Sequence, residues 1–94
     1  MRIIGQKRLH EFCATHADCR NWIANWVSDI KGSHWKNFHD IKNKYPTASF
    51  LVKNIVIFNV RGNEYRLETQ ITLGVGVIAV LWIGTHAEYS RRYR

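Results

Sequence analysis

The chain has 94 residues, of which 46% are hydrophobic, and it carries 14 Lys and Arg against 7 Asp and Glu for a net charge of +7. That length suits one domain, residues 1–94, with one modest core, and the apolar content argues against a disordered chain. The positive surplus favours a polyanionic partner, nucleic acid or an acidic protein, over a mere solubility charge. The most apolar run, residues 71–84, is shorter than the roughly 20 residues of a membrane helix, and two glycines interrupt it. No apolar secretory segment opens the sequence. The expectation is a soluble, cytoplasmic protein without a membrane partner, its Cys13 and Cys19 reduced.

Ile3-Ile4 suits a short edge strand. Leu9, Phe12, Cys13 and His16 fall at i, i+3, i+4 and i+7 and predict a first helix. Cys19, Ile23, Trp26, Val27 and Ile30 predict a second, with Asp18 as its N-cap and Gly32 as the residue that ends it. Trp35, Phe38, Ile41 and Tyr45 suggest one or two further turns, stopped at Tyr45-Pro46 because the residue before proline is pushed out of the helical region.

From Ile55 the period changes to two. Residues 55–58 are β-branched or aromatic, and Arg61-Gly62-Asn63 is turn chemistry, with Gly62 and Asn63 suited to positive φ. The next strand alternates: Tyr65, Leu67, Thr69, Ile71 and Leu73 face one way, and Glu64, Arg66, Glu68, Gln70 and Thr72 the other. Gly74-Val75-Gly76 turns the chain, and residues 77–83 read as a central strand covered on both faces. The predicted fold is α+β: a small antiparallel sheet with two N-terminal helices packed on one face.

The charge is uneven. Lys36, Lys42, Lys44 and Lys53 stand against Asp40 in residues 33–54, and Arg91, Arg92 and Arg94 follow the last acid, Glu88. The surplus flanks a hairpin whose own charges balance. Arg66 lies on the polar face of its strand beside Glu64 and Glu68, where a guanidinium grips phosphate bidentately or, more simply, forms a cross-strand salt bridge on a solvated face. His86 and Tyr89 follow the central strand three residues apart, so one helical turn puts both on one side. Histidine is the usual proton-transfer group near neutral pH, though a capping or buried histidine fits the spacing equally well. Arg61, Asn63, Lys36, Lys53, Arg91 and Arg92 are candidate RNA contacts around that centre.

Other signals point to structure. His10, Cys13, His16 and Cys19 recur at threes, but on one helix each step of three drifts by about 60°, so the four fan apart and no metal site is expected. No cofactor loop is visible. Trp22, Trp26 and Trp82 read as core, and Trp35 as packing or as a base-stacking ring.

The hairpin Asn59-Val60-Arg61-Gly62-Asn63-Glu64-Tyr65-Arg66-Leu67, followed by Thr85-His86-Ala87-Glu88-Tyr89, resembles the HigB toxins of bacterial type II toxin–antitoxin modules, which are RelE-like mRNA interferases. Trp22 and Trp26, then Trp35-Lys36-Asn37-Phe38 and Tyr45-Pro46, fit the same pattern. The resemblance implies a RelE-like fold and a metal-independent endoribonuclease acting on translated mRNA in the ribosome. It also implies silencing by a helix-turn-helix, HigA-like antitoxin, with operator DNA reached only through that antitoxin. Arg66, His86 and Tyr89 are then the catalytic residues, with Tyr89 either moving a proton or stacking a base. The sequence departs from the pattern at Leu81, where relatives lead us to expect a basic residue; either Arg61 replaces that charge or the protein cuts weakly. The alternative is a non-catalytic basic module that binds RNA or the ribosome without cutting.

Overall fold

The computed structural model describes residues 1–92. The chain forms β1 (Arg2–Ile4), α1 (Gln6–Thr15), α2 (Arg20–Lys31), α3 (Phe38–Lys44), β2 (Ser49–Phe50), β3 (Ile55–Val60), β4 (Tyr65–Thr72), β5 (Val77–Thr85) and α4 (His86–Arg92). The five strands make one sheet in the order β1-β5-β4-β3-β2. Pairing is antiparallel from β5 to β2, but β1 runs parallel to β5, so the sheet is mixed and not purely antiparallel. A parallel neighbour needs a crossover, and α1 to β4 supply it.

Leu9 and Cys13 of α1, Ile23, Trp26 and Ile30 of α2 and Ile41 of α3 share one core with Val56, Phe58, Val60, Leu67, Ile71, Ile78 and Val80 of the sheet. The three helices thus cover one face, as the alternation along β4 requires. Ile57 and Glu68 are also buried, but they point to the opposite face, where α4 lies. The surroundings of β5 differ from expectation. Ile78 and Val80 are buried, whereas Ala79, Leu81 and Trp82 are only half-buried, so its second face is partly open. A register shift between Glu68 and Thr69 leaves Leu81 unpaired: Glu68 sits opposite Trp82, and Thr69 opposite Val80. The bulge turns Trp82 toward α4 and Ile83 toward the core.

Local signals divide in the same way. Asn37, not foreseen, caps α3 by accepting the Asp40 N–H at 2.9 Å, and Tyr45-Pro46 ends that helix. Asp18 does not cap α2: the residue before the helix is Cys19, and its side chain caps nothing. Gly32 ends α2 but keeps φ at −88°, so no left-handed residue is needed there. In the β3–β4 turn the positive φ values fall on Arg61 (52°) and Gly62 (70°), one residue earlier than expected, and not on Asn63. A non-glycine residue there costs roughly 1–2 kcal/mol. Ion pairs from Arg61 to Asp18 (3.0 Å) and Glu64 (3.1 Å) offset that cost.

Candidate active site

The hairpin β3–β4 sets the site because alternation fixes what points where. Arg66 shares its facing with Glu68, and opposite them β5 places Gly84 and Trp82. Gly84 has a positional reason: a Cβ there would run into the Trp82 ring. The indole therefore lies across the strand, and α4 packs beside it.

The helix α4 begins with a capping box. The Thr85 N–H donates to Glu88 Oε1 at 2.9 Å, and the Glu88 N–H donates to Thr85 Oγ1 at 3.2 Å. Hydrogen bonding from Thr85 holds the Glu88 carboxyl below its ordinary value. The Thr-x-x-Glu signature was visible in Thr85-His86-Ala87-Glu88, although the sequence analysis read only its imidazole and phenol. The box fixes where His86 and Tyr89 begin, and the His86 N–H ties the helix to the hairpin through the Glu64 carbonyl at 3.0 Å.

Arg66 contacts that helix directly. Its guanidinium carbon lies 5.8 Å from the Tyr89 ring centroid, and its Nη1 donates to the carbonyls of Asn63 and Tyr65, both at 3.2 Å. Among the described residues no carboxylate is ion-paired to it, so the simpler reading of a cross-strand salt bridge does not hold there: Arg66 is absent from both pairs that Glu64 and Glu68 make. Glu64 bonds Arg61, and Glu68 bonds Arg92 through Nε (3.3 Å) and Nη2 (3.1 Å). Arg92 also stacks over Trp82, 4.9 Å from its centroid, and Trp82 stands 6.4 Å from Tyr89. Trp82, expected in the core, is instead part of this polar and aromatic face.

The structure brings Arg66 and Tyr89 together and sets His86 on the same helix with an exposed ring. It disperses the candidate RNA contacts. Arg61 is held by Asp18 and Glu64, and Arg92 by Glu68. Arg91 is exposed on α4. Lys53 lies at the other end of the hairpin, next to Gln70, which is about 13 Å along the strand from Arg66 at ~3.3 Å per residue. Lys36 stands ahead of α3, where its backbone N–H bonds Asp40. Asn63 lines a separate cleft of about 390 Å³ with Trp22, Lys44, Tyr45 and Asn59. Arg94 lies outside the described residues.

Asp18 anchors the turn from the helical side. It accepts from the Tyr65 hydroxyl at 2.6 Å as well as from Arg61. That hydrogen bond, with burial, pushes the Tyr65 phenol up to about 12. Cys13 and Cys19 are neighbours (Sγ to Sγ 3.6 Å) because a short helical turn at residues 17–19 brings α2 back over α1. Burial and the adjacent Cys13 push the Cys19 thiol up to about 12. Among the described residues no group of three or more His, Cys, Asp or Glu is placed to hold a metal ion, and none of the helices is long and apolar enough to cross a membrane.

A mixed sheet with α1–α3 on one face and a capped C-terminal helix bearing His86 and Tyr89 on the other agrees with a RelE-like toxin. Residues 19–92 match the HigB_toxin family, the RelE-like toxic component of a toxin-antitoxin system, and the chain belongs to that family. The matched span takes in α2 to α4 and every residue of the site, and leaves β1 and α1 outside. A search of curated proteins found no match. Membership makes the chain the toxin of a toxin–antitoxin system and implies an antitoxin partner.

Proposed function

We propose that this toxin is a metal-independent endoribonuclease that cuts mRNA during translation on the ribosome and so arrests growth. The observation that carries the reading is Arg66: a guanidinium without a carboxylate partner among the described residues, set against Tyr89 on the helix that also presents His86. The 2′-OH attacks the adjacent phosphorus in line. A new P–O2′ bond forms, the P–O5′ bond breaks, and the products are a 2′,3′-cyclic phosphate and a free 5′-OH. The 2′ proton passes to a base and the O5′ leaving group takes one from an acid. His86 and Tyr89 serve these two steps, each contributing about 10²–10⁴-fold. Arg66 stabilises the charge that builds on the non-bridging oxygens. A helix-turn-helix, HigA-like antitoxin neutralises the toxin, and operator DNA is reached only through it.

The test is cleavage of mRNA on translating ribosomes with chemical mapping of the new ends, and cleavage of free RNA at high toxin concentration with and without excess EDTA, which would dismantle ribosomes. Cyclic phosphate ends formed equally well in chelator are expected. Activity lost to EDTA and restored by a divalent ion overturns the mechanism. The rival reading, a basic module that binds without cutting, has one observation in its favour. Leu81 stands unpaired in the bulge where a basic residue was expected, and its proposed substitute Arg61 is already ion-paired. Ribosome binding without any new RNA ends would establish the rival.

A further inference from the structure

Glu68 is the one acidic residue of the described sheet face that is buried, with 7% of its surface exposed. A carboxylate in that position, on the side where phosphate is to be bound, opposes the function of its neighbour Arg66 unless its charge is matched. Arg92 matches it, donating from two guanidinium nitrogens to the same oxygen. The partners belong to different elements, β4 and α4, twenty-four positions apart. The rest of the contact is a stack of alternating cations and rings. Arg92 lies over Trp82, Trp82 adjoins Tyr89, and Tyr89 lies under Arg66. The described part of α4 is seven residues, and a helix of about two turns does not hold itself in water, so these contacts and the capping box help to set its place on the sheet.

We infer that Glu68 is a positioning residue: by holding Arg92 it docks α4 on the sheet and sets Tyr89 against Arg66. The box at Thr85 and Glu88 fixes the first turn of α4, and Glu68 holds it a turn further on at Arg92. Held at these two points, the segment between cannot swing away and take Tyr89 and His86 with it. Arg92 is then an anchor and not an RNA ligand. The functional half of this inference rests on the endoribonuclease reading, and the docking half does not.

Glu68→Ala and Glu68→Gln test it through two readouts. The first is amide hydrogen exchange, compared between residues 86–92 and α2. The second is kcat against KM for cleavage on ribosomes. Glu68→Ala removes the buried carboxylate and leaves Arg92 half-exposed, so no buried charge remains and the fold is expected to survive. Exchange should rise across residues 86–92 and stay unchanged in α2, and kcat should fall by about 10- to 10²-fold with little change in KM. Glu68→Gln keeps an oxygen for Arg92 and should restore most of both. Unchanged exchange in α4 overturns the docking role. Exchange rising equally in α2 shows a general stabilising role and overturns it too. A Glu68→Ala enzyme with looser α4 but wild-type kcat overturns positioning alone. A wild-type chain that cuts no RNA defeats the endoribonuclease reading itself, and is seen before any variant is compared.

Discussion

The two faces of the sheet solve different problems with the same strands. Toward α1–α3, β3 and β4 present Val56, Phe58, Val60, Leu67 and Ile71, and contacts there are apolar or edge-to-face, as between Phe58 and both Trp26 (5.5 Å) and Tyr45 (5.1 Å). Toward α4, the same strands present Ile57, Arg66 and Glu68, and the contacts that Arg66 and Glu68 make with the helix are cation-on-ring or charge-assisted. Burial without direction holds the first face, and it tolerates imprecision in angle. Directional contacts between polar groups hold the second, and such groups can also bind a ligand. A period of two lets one strand serve both, so the candidate site rests on the core with a single residue's thickness between them.

The largest effect expected is on the core face. Phe58→Ala removes a fully buried ring that meets Trp26 and Tyr45, and should cost about 3–5 kcal/mol, a large part of a small domain's stability. Urea denaturation checks it, and a loss under 1 kcal/mol would contradict the described packing. Next comes the site face. Arg66→Ala and His86→Ala should each slow cleavage by about 10²-fold or more while Tm and antitoxin binding hold. Arg66→Lys should recover only part, because the planar fork is gone. If a folded Arg66→Ala/His86→Ala double variant still arrests growth, this site is not the site. Asp18→Ala acts between the two faces, releasing both Arg61 and the Tyr65 hydroxyl. It should lower stability by about 1–2 kcal/mol and leave cleavage within a few-fold of wild type.

The smallest effect is one of pH. Tyr65 has its phenol raised from 10.0 to about 12 by the bond to Asp18, and Tyr45 is raised as well by burial and its bond to Asp29 (2.9 Å). A raised value means that the folded state holds the proton more tightly than the unfolded chain does. The associated stability is complete below pH 10.0 and declines as pH rises toward 12. Tyr65→Phe should flatten that alkaline decline slightly. A decline of the same steepness in Tyr65→Phe would remove Tyr65 from the account.

The core face was legible in the sequence because periodicity reports burial. The stripes in α1 and α2 and the alternation along β4 named Leu9, Cys13, Ile23, Trp26, Leu67 and Ile71 correctly. The site face was legible in its residue types but not in its partners. Glu68 read as solvated because nothing local says that a later helix covers it, and Arg92 read as an RNA contact because its anchor lies on another strand. Trp82 read as core because a strand apolar on both faces was expected to be covered on both, and its second face is partly open. Asp18, too, looked like a cap when it binds a turn forty-three residues away.

The bulge between β4 and β5 has a consequence for how such a chain tolerates change. Deleting Leu81 would make Val80 and Trp82 successive residues, still opposite Thr69 and Glu68, so the ladder would become regular and every side chain would keep its face. Replacing Leu81 disturbs as little, since the residue faces no partner across the ladder. Position 81 is therefore a spare: neither its identity nor its presence decides which side chains of β5 meet the core and which lie beneath α4. A chain lacking residue 81 should keep the fold, a result that circular dichroism and urea denaturation would show.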